Sequence, residues 1–351
     1  MTLTDAHVRT VVLSGVRVRQ GPYGIDLLPG LGYRLHQVDE PSGRLGVKVR
    51  DVIDHRTGHP VCRTLRSLRH LRSADLALAL FEKEALTLLR LKRMLPSRAL
   101  PPVVVIVCWL ADELERMPEE QARACAAPYA DADLVVVFSA NQVDVLSRYG
   151  IDPKRVVAIP FGFAPTLFSR RTTWRGPGEQ ARVVTIGVDR GRDYETLMAA
   201  ASRAQVPIDF YARPERAAGL VLPPSVTYRG TIPFDEYRHV LRDADVVAVP
   251  THLMVYPSGQ TVAIEAAATG AAVILTRTPA LEEYFTDDDV CFVDVGDVEG
   301  WAQALEGLTR DAARRERLGR SAARRVRERF TYEHTWQAFD AAVRSAGIVS
   351  E

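Results

Sequence analysis

The residues with the clearest chemical signature lie between positions 246 and 276, where a glycine loop leads into an alanine-rich helix that contains one carboxylate. Pro257, Ser258 and Gly259 interrupt the chain after a β-branched run, and Gly270 is a natural residue to end the helix that follows. The first turn of such a helix presents unpaired N–H groups, which bind phosphate oxygens. Glu265, inside the helix, has two oxygens that can accept both protons of a vicinal diol such as a ribose. Diphosphate and ribose together predict a nucleotide-sugar site.

The elements that must position these residues follow from continuous apolar runs, which are typical of parallel strands covered on both faces. In the first half, strands are predicted at 11–14, 76–80, 103–107 and 134–138, and helices at 64–72, 82–94 and 141–149. In the second half, strands are predicted at 183–186, 208–211, 226–228, 246–249, 273–275 and 291–293, and the chain ends in helices between 301 and 347. The prolines and glycine of 160–165 separate the two series. Alternating strands and helices on both sides of this break predict an α/β protein with two parallel sheets.

Composition excludes several classes of function. The 351 residues are 47% hydrophobic and 25% charged, which is ordinary for a soluble globular protein of two domains. A formal net charge of +1 argues against nucleic acid as the main partner. No run of about 18 apolar residues is present, and the first residues lack a signal-peptide pattern, so a cytoplasmic location is expected. Four cysteines without metal-like spacing predict reduced, mostly buried thiols.

Several segments resemble the retaining glycosyltransferases of family 4, which have the GT-B fold. The similar segments, in the order of the chain, are 131–168, 183–200, 227–250, the helix containing Glu265, and 326–339. The resemblance implies two doubly wound Rossmann-like domains whose parallel sheets face each other across a cleft. The expected boundaries are 1–165 for the acceptor-side domain and 166–332 for the nucleotide-sugar domain, with a C-terminal helix at 333–351 packing back on the first.

The same resemblance assigns roles to particular residues. Glu265 matches the second glutamate of the E-x7-E motif, which holds the donor ribose, and Arg192 matches a basic residue that binds the diphosphate. Both are the candidate catalytic residues. The remaining expected donor contacts are Gly187, Arg190, Gly230, Thr231, Ile232, Ser258, Gly259, Gln260 and Thr261. Each assignment has a structural alternative. Arg190 and Arg192 are then solvated in a turn, the loop before the helix contains glycine only in order to turn, and Glu265 lies at the helix surface.

The sequence departs from the family pattern where the donor sugar itself is usually touched. Pro257 stands in place of the first glutamate of the motif, and no histidine occurs between 105 and 114. The usual N-terminal glycine pair is absent as well, which makes Gly15 and Arg17 candidates for phosphate contact and Trp109 a candidate for acceptor contact or for the core. These departures leave the nucleotide half of the predicted site intact and suggest an unusual donor sugar.

The resulting hypothesis is a metal-independent glycosyltransferase that moves a sugar, with retention, from a nucleoside-diphosphate sugar to an acceptor hydroxyl of a glycan, glycolipid or natural product. No cofactor is expected besides this donor substrate. The resemblance implies a front-face reaction in which the departing phosphate takes the acceptor's proton. Two alternatives stay open: a weakly active or inactive partner of a true transferase, and a nucleotide-sugar epimerase.

Two basic clusters in the first half suggest a further partner. One consists of Arg63, Arg66, Arg69 and Arg72, and the other of Arg90, Lys92, Arg93 and Arg98. Such a surface can meet anionic lipid at the inner face of a membrane or a phosphorylated acceptor, and the alternative is a solvated helix face. His55 and His59 have the spacing of a metal pair but lack a third ligand, so no metal site is predicted.

Overall fold

The computed structural model describes residues 7–18, 21–96 and 99–350. The chain divides into two compact units. Unit 1 comprises residues 1–160 together with 333–351, and unit 2 comprises residues 161–332.

Unit 1 is built on a fully parallel sheet with the strand order β2-β1-β3-β4-β5-β6 among the described residues. Its central strands consist almost entirely of buried aliphatic side chains, because helices cover both faces of the sheet. The strands are β1 (Val8–Leu13), β2 (Tyr33–His36), β3 (Leu76–Leu80), β4 (Val103–Ile106), β5 (Leu134–Val137) and β6 (Val156–Ala158). The helices are α1 (Arg44–Thr57), α2 (Val61–Leu71), α3 (Glu82–Met94), α4 (Leu110–Glu115), α5 (Glu119–Ala126) and α6 (Asn141–Arg148).

Unit 2 has a second parallel sheet, with the order β12-β11-β10-β7-β8-β9 among the described residues. Its strands are β7 (Val183–Ile186), β8 (Ile208–Tyr211), β9 (Val226–Tyr228), β10 (Val246–Val249), β11 (Ala272–Thr276) and β12 (Cys291–Val293). Its helices are α7 (Tyr194–Ala204), α8 (Pro214–Ala217), α9 (Phe234–Asp243), α10 (Gln260–Thr269), α11 (Pro279–Glu282), α12 (Val298–Arg310) and α13 (Ala312–Arg329). Strand order reverses between β7 and β10, and doubly wound sheets bind ligands beyond the carboxyl ends of the strands at such a point.

The last helix, α14 (Tyr332–Ser345), packs on unit 1. Tyr33 donates a hydrogen bond of 2.7 Å to Asp340, and the indole of Trp336 donates one of 2.9 Å to the carbonyl oxygen of Tyr23. Phe339 is buried beside Tyr33. The C-terminal helix therefore contributes both apolar burial and specific hydrogen bonds to the first unit.

Five strands and helices of unit 1 were not predicted from the sequence: strands β2 and β6, and helices α1, α4 and α5. The cysteine prediction was wrong in part, because all four are free thiols but each is partly exposed. Within the described residues, no helix is both long and apolar enough to cross a bilayer.

Candidate functional site

The candidate site of unit 2 begins where two loops meet at the carboxyl ends of β7 and β10. Arg192, after β7, pairs with Thr251, after β10, in an isolated antiparallel bridge. The backbone N–H of His252 donates to the carbonyl of Gly191 at 2.8 Å, and that of Asp193 donates to the carbonyl of Pro250 at 3.2 Å. These hydrogen bonds fix the loop that carries Arg192 against the loop that leads into α10.

Arg192 is the buried cation of this site. Its side chain is only 4% exposed, and Nη2 donates a hydrogen bond of 3.2 Å to the carbonyl of Ile186. The buried Nε and Nη1 atoms have no hydrogen-bond partner among the described residues. A buried guanidinium with unused donors is costly, and it is expected where a ligand supplies the missing acceptors.

Gly187 makes the room for this guanidinium. A Cβ atom at position 187 would lie 2.6 Å from Nη2 and 2.7 Å from Nε of Arg192. The carbonyl of Gly187 also accepts a 2.9 Å hydrogen bond from the Tyr194 hydroxyl, which holds the loop in place. A larger residue at this position would therefore displace the Arg192 guanidinium.

Asp189 ties the first loop to the turn before α10. Its Oδ1 accepts hydrogen bonds from the Tyr256 hydroxyl at 2.7 Å, the Ser258 hydroxyl at 2.5 Å and the Gly191 N–H at 2.8 Å. Burial acts to raise the pKa of Asp189, but these hydrogen bonds and the charge of Arg192 outweigh burial and hold the pKa below its usual value. Asp189 is thus ionised and positions the loop, a role that the sequence did not reveal.

The N-terminus of α10 faces the same place. Gly259 has φ 83°, and the helix has no side-chain cap. A Cβ atom on Gly259 would lie 3.3 Å from Nη1 of Arg192, which places the guanidinium next to the helix terminus. Gln260 Oε1 and Thr251 Oγ1 are also buried without a hydrogen-bond partner among the described residues. The helix N-terminus, which has no side-chain cap, and the guanidinium together suit an oxyanion. The two unused oxygen atoms suit further polar groups of the same ligand.

Glu265 lies in the second turn of α10, 6% exposed, and accepts a short hydrogen bond from the hydroxyl of Tyr237 on α9. Burial raises the pKa of Glu265 to about 8, and the Tyr237 hydrogen bond opposes that rise only in part. Burial and the charge of Glu265 raise the pKa of Tyr237 well above its usual value, whereas the positive charge of Arg192 lowers it. Tyr237 therefore lies within electrostatic reach of both predicted residues, and the sequence interpretation missed it.

The remaining predicted donor contacts of unit 2 are distributed over three loops. Arg190 is exposed in the turn before Arg192, and Thr261 is half-buried in the first turn of α10. Gly230, at φ 75°, and the exposed Thr231 follow β9, and the partly buried Ile232 packs against the core that contains Ala263 and Ile264. No hydrogen bond among the described residues joins this third loop to Arg192 or Glu265.

The predicted residues of unit 1 lie at the carboxyl edge of its own sheet. Gly15 and Arg17 are exposed after β1. Trp109, the residue before α4, is half-buried, and its ring centroid lies 5.5 Å from that of Phe81. The Phe81 centroid also lies 5.4 Å from that of Tyr23. Phe81 has φ 75° and ψ 160°, a backbone region used almost only by glycine. An aromatic cluster with a strained backbone at this edge was not predicted.

Three side chains of types that commonly bind metal ions lie close together. Ligand atoms of Asp193, Glu195 and His252 lie within 4.8 Å of one another. Asp193, however, caps α7 by accepting hydrogen bonds from the N–H and hydroxyl of Thr196, and Glu195 and His252 are exposed. Cap geometry explains the cluster, and we assign it no ion.

Comparison with known proteins identifies the fold. Residues 192–341 match the glycosyl transferase-like family. The solved structure of a sucrose-phosphate synthase from Thermosynechococcus elongatus superimposes with a TM-score of 0.73 at 20% identity, over 98% of this chain and 100% of the other. Anabaena HepE, solved in complex with UDP-glucose, superimposes with a TM-score of 0.67 at 15% identity, over 97% and 100% of the two chains. The chain has the GT-B fold, and the predicted resemblance to GT-B glycosyltransferases is confirmed.

Curated relatives with a stated activity are similar over part of the chain. A D-inositol 3-phosphate glycosyltransferase of Corynebacterium diphtheriae is 28% identical over 57% of this chain and 53% of its own length. One from Paenarthrobacter aurescens is 29% identical over 63% of this chain and 57% of its own length. The chain thus matches little more than half the length of these relatives.

Proposed function

We propose that this protein is a retaining glycosyltransferase that moves a sugar from a nucleoside-diphosphate sugar to an acceptor hydroxyl. The observation that carries the proposal is the Arg192 guanidinium, buried beside the uncapped N-terminus of α10 with two donor nitrogens unused. Arginine's planar fork pairs with phosphate oxygens two at a time, and the helix terminus adds N–H donors to the same anion. In a nucleoside-diphosphate sugar, the diphosphate is the group whose negative charge and many oxygens match both the guanidinium and the helix N–H donors.

Glu265 is placed in the proposal as the residue that binds the ribose of the donor. A ribose diol donates two hydrogen bonds, which the two oxygens of an ionised Glu265 can accept. The Tyr237 hydroxyl already binds Oε2 and orients the carboxylate. Because the carboxylate must be ionised to accept both protons, donor binding is expected to lower the pKa of Glu265 from its value of about 8 and to release a proton.

The reaction follows from where charge develops. As the glycosidic bond to the diphosphate breaks, negative charge grows on the phosphate oxygens, and Arg192 and the α10 N–H groups stabilise it more strongly than in the ground state. The acceptor oxygen bonds to the anomeric carbon on the face from which the diphosphate departs, and the departing phosphate oxygen accepts the proton of the acceptor hydroxyl. Attack on that same face gives retention. Because arginine and helix N–H groups provide the positive charge, no metal is required in this scheme, and activity should survive treatment with EDTA.

For the acceptor we propose the aromatic cluster of Tyr23, Phe81 and Trp109 in unit 1. Its ring faces suit stacking against a sugar or another cyclic polyol. The names of the curated relatives make inositol phosphates the first acceptors to try, and the UDP-glucose complex of HepE makes uridine diphosphate sugars the first donors.

A donor screen tests the proposal. The purified chain is heated with uridine, guanosine, adenosine and thymidine diphosphate sugars, and turnover is followed by nucleoside-diphosphate release with and without acceptors. A donor at 100 times its Kd is expected to stabilise the fold by about 2.7 kcal/mol, which is visible as a rise in Tm. Absence of both stabilisation and turnover with all four donors would contradict the proposal.

One observation favours a second candidate, an inactive partner of a true transferase. Pro257 occupies the place of the first motif glutamate, and residues 105–114, at the end of β4 and directly after it, contain no histidine. Such a protein would bind the nucleoside diphosphate but neither transfer nor hydrolyse the sugar. Donor stabilisation without product over long incubation would therefore select this second candidate.

A glycine substitution tests the geometry around Arg192. Gly187→Ala places a methyl group inside the guanidinium's space, so Arg192 must move. We expect donor affinity to fall about tenfold or more and the free energy of unfolding to fall by about 1–3 kcal/mol, the usual cost of overpacking. Calorimetric donor titration and thermal unfolding measure the two effects. Gly176→Ala is the matched control, because its added Cβ would meet only Glu179 Oε2 at 3.6 Å; equal effects of both changes would contradict the assignment.

A further inference from the structure

Helix α1 lies on unit 1 without burying any of its residues. None of the 14 residues of Arg44–Thr57 is buried. Leu45, Val49 and Val52 are 77%, 48% and 46% exposed, and their spacing of four and three residues places them in one stripe on the outer face of the helix. An amphipathic helix normally turns such a stripe toward the core, whereas this stripe is left uncovered by the part of the chain that the structure describes.

Basic side chains surround the apolar stripe. Arg44, Lys48 and Arg56 are exposed on the same helix, and an open groove beside the stripe is lined by charged side chains of both signs, Arg44, Lys48, Asp51 and Asp54, together with Val52. Residues 44–72 contain eight arginines and lysines and two aspartates, a formal charge of +6 in a chain whose total is +1. Positive charge is thus concentrated around α1 and α2, and only part of it is compensated locally, where Arg50 and Arg63 pair with Glu40.

The arginines of α2 that the sequence singled out are partly used within the fold. Arg63 forms ion pairs with Glu40 and Glu84, and Arg66 donates to the carbonyl of Asp39 at 3.2 Å. In the second basic cluster Lys92 pairs with Asp133, and Arg98 lies outside the described residues. Helix α2 has one exposed aliphatic residue, Leu65, beside the exposed Arg66 and Arg69. Helix α1, which the sequence analysis did not identify, instead has three exposed aliphatic residues in one stripe with exposed cations beside them.

We propose that α1 docks on an anionic membrane surface. Leu45, Val49 and Val52 enter the boundary between headgroups and acyl chains, and Arg44, Lys48 and Arg56 contact lipid phosphates. Apolar burial and attraction to negative lipids act together in interfacial helices of this kind. The charge of residues 44–72 favours a polyanionic surface over a second copy of this chain, whose own α1 is equally basic. This inference does not depend on the proposed reaction.

Vesicle cosedimentation tests the proposal. The full chain is mixed with vesicles of phosphatidylcholine alone or with about 30% phosphatidylglycerol. Binding is expected only with the anionic lipid and should weaken as salt shortens the range of electrostatic attraction. The triple variant L45S/V49S/V52S and the charge variant R44E/K48E should each lower the partition coefficient about tenfold or more. Because all five side chains are exposed, the fold should tolerate these changes.

Matched controls and a second measurement make every outcome decisive. Val221→Ser is the control for the serine changes, and R317E/R324E is the control for the charge changes; all three residues are exposed in unit 2. Both control variants should bind vesicles as strongly as the wild type. Wild-type failure to bind anionic vesicles, or unchanged binding by the triple serine variant, would overturn the proposal. Sedimentation equilibrium without lipid provides the other test: a dimer that the serine changes dissociate would show that a second copy covers α1.

Discussion

Replacement of Arg192 by methionine is expected to slow transfer by about two to three orders of magnitude while making the free protein more stable. The variant loses the buried cation beside the α10 terminus, and removal of one such oxyanion donor typically lowers kcat by about 10²–10³-fold. In the free protein, however, Nε and Nη1 have no partner among the described residues, and each unsatisfied buried donor costs about 1–3 kcal/mol. Methionine fills similar space without that cost, so Tm should rise. Steady-state kinetics and thermal unfolding of the same preparation measure both effects.

Lower activity together with a higher Tm distinguishes an arginine that binds a ligand from one that stabilises the fold. Arg315 is the matched comparison: it is 3% exposed, but it donates to the carbonyls of Leu308 and Thr309, each at 2.8 Å. Arg315→Met should therefore destabilise the fold. If Arg192→Met also lowered Tm, or if it left donor affinity unchanged, the assignment of Arg192 to the diphosphate would be wrong.

The sheet of unit 2 was predictable because its signal is local. Strands β7 to β10 and β12 have the predicted bounds, since each is a short run rich in β-branched and aromatic residues between turns, and such runs favour strands. Helix α10 was predictable for a related reason: a proline–glycine turn starts it and Gly270, at φ 86°, ends it. Glu265 stands out in that helix because its neighbours are nearly all alanine.

What escaped prediction depends on contacts between distant residues. Asp189 and Tyr237 are ordinary residues of a turn and of a polar helix, and their importance follows only from their hydrogen bonds to residues 69 and 28 positions away. Strand β2 is a short edge strand, and its sequence YRLH has no continuous apolar run. Helix α1 has apolar residues at helical spacing, but charged side chains are interspersed among them, and nothing local shows that the apolar ones face solvent.

Glu265→Gln is expected to remove a pH dependence of stability and to weaken donor use. In the folded chain the pKa of Glu265 is about 8, whereas an unfolded glutamate ionises near its ordinary value of 4.5. Between these two pH values the folded state keeps a proton that the unfolded state has lost, so stability falls as pH rises through this window. The fall approaches about 1.4 kcal/mol per pH unit for one proton. Glutamine, which is neutral throughout, removes this decline, so Tm of the variant should exceed that of the wild type at pH 8 by more than at pH 5.

The same Glu265→Gln substitution should impair catalysis while it stabilises the fold. An amide offers a single acceptor oxygen, so one diol proton of the ribose loses its partner, and kcat/KM should fall by about 10–100-fold. A 2′-deoxyribose donor provides the matched control, because it lacks that hydroxyl: with it, wild type and Glu265→Gln should differ little, as in a double-mutant cycle. In the wild type, donor affinity should rise with pH up to about 8, because the carboxylate must be ionised to accept both protons. Equal loss with ribose and deoxyribose donors would show that Glu265 supports the fold of α10 and does not bind the diol.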